Sequence, residues 1–127
     1  GIGRAMDKGK RAGASGSGEQ VCEQLQAAPI DLDHLHRQTM GDNALGREVL
    51  AMFVAQSLSV RDQLAGAEPR QRTLLAHGLK GAARGVGAFA IAECADAIER
   101  NPGDAGHLEL LDSLVEDVRA FVAATDL

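Results

Sequence analysis

The stretch Leu74-Leu75-Ala76-His77-Gly78-Leu79-Lys80-Gly81-Ala82-Ala83-Arg84-Gly85-Val86-Gly87-Ala88 is helical by pattern, yet it carries glycines where a helix tolerates them least. At about 100° per residue, Leu75, Leu79, Ala82 and Val86 fall within a sector of roughly 60° and form one narrow apolar stripe aimed at a core. Thr73, His77, Lys80, Gly81 and Arg84 occupy the far side of the same wheel. The histidine therefore points at solvent. Each interior glycine costs about 0.8–1 kcal/mol against alanine. Gly81 stands one turn after His77 and leaves room for the ring to be approached by another protein, or to carry a group larger than a proton. Lys80 and Arg84 supply two cations that would attract and partly neutralise an anion on that ring.

The chain has 127 residues, which suits one domain with a single core. It has no Trp or Tyr and only three Phe, is rich in Ala and Leu, and has few β-branched runs, which predicts an all-α fold. No apolar run approaches the roughly 18 residues of a membrane span, and no apolar signal region opens the chain. A soluble, cytoplasmic protein is expected. Cys22 and Cys94 are too few and too far apart to suggest a disulfide framework, and small buried thiols in a reducing compartment are the expectation.

Net charge is −5, but residues 1–18 hold Arg4, Lys8, Lys10 and Arg11 against Asp7, so this tail is +3 and the remainder −8. So acidic a remainder argues against nucleic acid as a partner. Four of its nine basic residues, Arg70, Arg72, Lys80 and Arg84, nevertheless cluster around His77. The local field opposes the global one.

Residues 1–18 are rich in Gly, Ala and Ser, with no apolar periodicity, and read as a flexible basic tail or linker ahead of a domain spanning 19–127. The sequence does not begin with Met, so it is expected to be a piece of a longer chain, the tail being linker or vector sequence. Glu19 to Ala28 predicts a short helix with Val21, Cys22 and Leu25 near one face, ended by Pro29. Asp31 is a good N-cap for a short helix over about 32–40, with Ile30 and Leu35 as its hydrophobic staple. Asp42 caps a helix to about Ala65, whose core face is read as Leu45, Val49, Met52, Phe53, Val60 and Leu64. Pro69 suits a first helical position, and the His77 helix runs on to about Val86. After a break at Gly87, Phe89, Ile91, Ala95 and Ile98 make another buried face. Asn101-Pro102-Gly103-Asp104 is a turn, with Asp104 capping a last helix that carries Leu111, Leu114, Val115, Val118, Phe121 and Val122. Four sizeable amphipathic helices with short loops predict an antiparallel up-down four-helix bundle, preceded by one or two short helices.

The run His77-Gly-Leu79-Lys80-Gly81-Ala-Ala83, followed by Val86-Gly87-Ala88, resembles the signature of histidine-containing phosphotransfer (HPt) domains. Cys94-Ala-Asp-Ala-Ile98-Glu99 resembles the next family helix, with its terminal apolar–Glu pair. The resemblance covers about residues 31–127, its specific part about 74–99. It implies a phosphoryl carrier rather than an enzyme: His77 accepts a phosphoryl group from an aspartyl phosphate on a response-regulator receiver domain and passes it to another receiver. An imidazole nitrogen suits this role because its neutral form is well populated near neutral pH. Lys80 matches the family's basic residue three after the histidine and is expected to stabilise the phosphoryl oxygens. Gly81 provides clearance. Arg70, Thr73, Arg84 and Gly85 are expected to line the receiver-docking face, although Arg84 stands where many family members have a small residue.

The family places the magnesium on the receiver, so no cofactor is expected here. His34 and His36 are two apart on a short helix and make a poor metal pair, and His107 lies far along the chain, so no metal site is expected either. The implied partners are receiver domains and a hybrid sensor histidine kinase, in a bacterial two-component phosphorelay, with the domain itself monomeric. Two alternatives stay open: the phosphorylated module of a chemotaxis-type kinase, and a helical module that docks receivers without carrying phosphate.

Overall fold

The computed structural model describes residues 28–125. Five helices account for most of them: α1 (Leu32–Gln38), α2 (Asn43–Gly66), α3 (Pro69–Val86), α4 (Phe89–Arg100) and α5 (Ala105–Ala124). No strand occurs among the described residues. Helices α2 to α5 neighbour one another in chain order, with α5 closing back on α2, and α1 lies against α2 and α3. With loops this short, that is the expected antiparallel bundle. Of the expected helix over Glu19 to Ala28, residues 19–27 lie outside the described residues, as do Cys22 and the tail, and Ala28 is not helical.

The helix boundaries follow from local chemistry. Asp31, Asp42 and Asp104 each take extended backbone and accept a hydrogen bond from an N–H of the first turn, at His34, Leu45 and Gly106 respectively. Pro69 opens α3 as its first residue, where a missing N–H costs nothing. Gly87 ends α3 in the left-handed region at φ +89°, and the N–H groups of Gly87 and Ala88 both return to the Ala83 carbonyl. A side chain is excluded there for a second reason. A Cβ on Gly87 would stand 2.8 Å from the Asp31 carbonyl oxygen, because the segment entering α1 passes directly over this corner and Asp31 N–H donates to Gly87 O at 2.9 Å.

At the other end Arg72 acts as a clamp. Its Nε donates to the Leu64 carbonyl at 3.0 Å and its Nη1 to the Pro102 carbonyl at 2.9 Å, tying the end of α2 to the α4–α5 turn. The cation counted near His77 in the sequence is spent on backbone carbonyls at the end of α2 and in the α4–α5 turn.

One core runs through the bundle, built from Ile30, Leu35, Leu50, Phe53, Val60, Leu64, Leu79, Val86, Ile91, Ile98, Leu111, Val115 and Val118 with buried alanines between. It corrects the expected faces in three places. On α2, Leu45 and Met52 are exposed, whereas Leu50 and Ser57 are buried, the serine hydroxyl donating to the Phe53 carbonyl. Two overlapping apolar stripes exist on α2, and packing against α3 and α5 selects one. On α3 the most buried positions are Ala76, Leu79, Ala83 and Val86, while Leu75 and Ala82 are half-buried. The buried face is turned toward the alanines because α3 is flanked by both α2 and α4, and small side chains sit where helices approach closely. Phe89 is exposed and meets His34 edge-on, with ring centroids 5.2 Å apart.

Candidate functional site

His77 sits near the middle of α3 with its side chain 69% exposed, as the wheel predicts. It is not isolated. Its Nδ1 lies 2.9 Å from Glu99 Oε2, on the last turn of α4. A carboxylate only accepts, so Nδ1 carries the proton, and in the neutral ring Nε2 holds the lone pair. Nδ1 is thus engaged with the bundle while the other nitrogen is a candidate nucleophile.

Glu99 is held in turn. Lys80 Nζ stands 2.7 Å from Glu99 Oε1 and 3.2 Å from Asp96 Oδ1, and Arg100 closes the far side of Asp96 at 2.9 Å. The Lys80 side chain is only 16% exposed and that of Glu99 23%, so the solvent-facing ring rests on a half-buried pair. Hydrogen bonding to Glu99, then to Asp96, raises the Lys80 ammonium above its ordinary range. The same Lys80 contact, followed by the bond from His77, holds Glu99 below the ordinary carboxylate range, and Asp96 is lowered by Lys80 and then Arg100. At neutral pH all three are charged.

The topology explains why these groups meet. In an antiparallel helical hairpin, residues equally far from the turn face one another. His77 and Glu99 each lie eleven residues from Ala88, and Lys80 and Asp96 each lie eight. Sequence reasoning placed Glu99 only as the end of a helix and left Asp96 out. Counting outward from the Gly87 corner would have paired both.

The remaining expected site residues share the exposed side of α3. Arg70, Arg84, Gly81 and Gly85 are exposed, and Thr73 is half-buried with its hydroxyl donating to the Pro69 carbonyl at 3.2 Å. A Cβ on Gly81 would meet nothing within 4 Å, nor would one on Gly78 or Gly85. The isolated domain has no steric need for glycine at these positions. Among the described residues no cluster of His, Cys, Asp and Glu could hold a metal ion, and no helix is long and apolar enough to cross a membrane. Cys94 is buried, its thiol pushed up to about 11 by desolvation.

The site is thus a reachable imidazole on a helical bundle, its Nδ1 tied to a carboxylate of the neighbouring helix. The family model for the Hpt domain matches residues 48–121, more than half of the chain, and the chain belongs to that family. Hpt domains carry phosphoryl groups in two-component signalling and interact with response-regulator receiver domains, which assigns a phosphotransfer role here. No curated protein and no solved structure matches the chain.

Proposed function

We propose that this chain is a phosphorelay intermediate in which His77 Nε2 takes a phosphoryl group from the aspartyl phosphate of one receiver domain and yields it to another. The supporting observation is the Nδ1–Glu99 bond at 2.9 Å on an otherwise exposed ring. In the neutral ring this bond fixes the proton on Nδ1 and the lone pair on Nε2, the nitrogen that Glu99 does not hold. In the transfer the Nε2 lone pair attacks phosphorus in line, the Nε2–P bond forms as the P–O bond to the aspartyl carboxylate breaks, and the carboxylate departs as the anion. Positive charge then builds on the ring, with the Nδ1 proton retained, and the Glu99 carboxylate beside it stabilises that charge.

Lys80 holds Glu99 in register, and the family resemblance adds to it the stabilisation of the phosphoryl oxygens. Gly81 leaves a bare backbone patch beside the nucleophile for the receiver to approach. Arg70, Thr73, Arg84 and Gly85 form the docking face. Magnesium belongs to the receiver, and this domain supplies the nucleophile and its orientation. The working unit is a cytoplasmic monomer of about residues 19–127 in a bacterial pathway.

A receiver domain loaded with radiolabelled phosphate from acetyl phosphate and freed of ATP tests the reading. Label moves to the chain in a form stable to alkali and labile to acid, and His77→Gln abolishes it. A wild-type chain that stays unlabelled unless a kinase and ATP are added points to the chemotaxis-type module instead. Binding without any label would reduce the domain to a docking module.

A further inference from the structure

We infer that Arg70 and Arg84 form a two-point electrostatic clamp that selects a receiver whose phosphorylation pocket is rimmed by carboxylates on opposite sides. The inference rests on the relay reading above and adds the chemistry of the partner. Helix α3 contains four basic residues and no acidic one, whereas every other described helix carries at least one carboxylate. Two of the four cations are committed inward: Arg72 to the carbonyls of Leu64 and Pro102, and Lys80 to Glu99 and Asp96. Arg70 and Arg84 are exposed and form no hydrogen bond or ion pair with any described residue.

Their register is what makes them a pair. Each lies seven residues from His77, one before and one after. Seven residues are nearly two helical turns, about 10 Å along the axis and only ~20° around it. The three residues therefore stand in line on one face, with His77 midway along the axis between two arginines whose backbone positions are about 21 Å apart. That spacing is too wide for both to reach one phosphoryl group, and it fits contacts at the two edges of a docked domain.

The rest of the surface enforces the choice. Residues 28–125 hold nine Lys and Arg against fourteen Asp and Glu, so a carboxylate-rimmed partner is repelled over most of the bundle and attracted along this strip. Between the arginines, Gly78 and Gly81 present no side chain, which leaves space beside the imidazole.

The test separates docking from chemistry with two donors. Phosphoramidate phosphorylates an accessible imidazole without any docking partner, whereas acetyl-phosphate-loaded receiver domains from the source genome must dock. The clamp requires Arg70→Glu and Arg84→Glu each to lower the second-order rate constant for transfer from the preferred receiver by about tenfold or more at low salt, and to flatten its salt dependence. A fall in labelling by phosphoramidate equal to the fall with the receiver would overturn the clamp, because the loss would then lie in the imidazole and not in docking. Unchanged receiver kinetics and an unchanged salt slope in both variants would overturn the clamp and leave the relay standing. A wild-type His77 that neither donor labels removes the relay, and the clamp with it.

Discussion

At the scale of single residues the informative contact is between His77 and Glu99, because it divides the ring into a nitrogen that Glu99 holds and one that it does not. Glu99→Ala removes both the proton acceptor at Nδ1 and the main partner of Lys80. Transfer from a loaded receiver should slow by about tenfold or more, the equivalent of one pKa unit of lost charge stabilisation, while circular dichroism remains that of the folded chain. The same carboxylate gives a signature in pH. Glu99 is depressed below its ordinary 4.5, so its contribution to stability is present at neutral pH and lost as pH falls through the lowered value. Lys80 is raised above 10.5, so its contribution is complete below that value and lost only as pH climbs through the raised one. The melting temperatures of wild type and Glu99→Gln should therefore differ at pH 7 and converge in acid, below the lowered Glu99 value. A gap that persists once pH has fallen below that lowered value would mean that Glu99 acts through packing and not through charge. Cys94, pushed up to about 11 and buried, should resist alkylation at pH 8 until the chain is denatured.

At the scale of the helices, two glycines of one motif have opposite reasons to be there, and substitutions tell them apart. Gly87 is demanded by the fold: its φ is +89°, and a side chain would collide with the backbone of Asp31. Gly87→Ala should destabilise the domain by about 1–2 kcal/mol from the left-handed conformation alone, and by more from the collision, read as a lowered denaturation midpoint. Gly81 is not demanded by the fold, because its Cβ would point into open space. Gly81→Ala should raise stability by about 0.8–1 kcal/mol, the ordinary helix propensity gain, and yet slow transfer from a receiver. Stability and activity moving in opposite directions at one position would locate the need for glycine in the partner complex. If Gly81→Ala leaves transfer untouched, clearance is not its role.

At the scale of the whole molecule the bundle serves to fix the register of α3 against α4. Leu79→Ala opens a cavity at the centre of that contact and should cost about 2–5 kcal/mol, measured by chemical denaturation. Much of this architecture was legible in the chain alone, because capping, glycine breaks and apolar spacing act over a few residues: Asp31, Asp42, Asp104, Pro69 and Gly87 mark their helix ends where the pattern puts them. The exposure of His77 was legible for the same reason, since a wheel needs only the helical period. What the wheel could not settle was which of two apolar stripes on α2 turns inward, why Leu45, Met52 and Phe89 stay outside, or how far α3 turns to bury its alanines. Those outcomes depend on which neighbours a helix acquires. Nor could local pattern reveal that Lys80 is bound to Glu99 and Asp96 or that Arg72 faces carbonyls, because each contact joins residues from elements that meet only after the chain has folded. The amino-acid order by itself determined the helices, their ends and the exposed imidazole through short-range forces. Only the tertiary structure decided which charges are spent inside the bundle and which are left exposed, since that depends on the packing of distant segments.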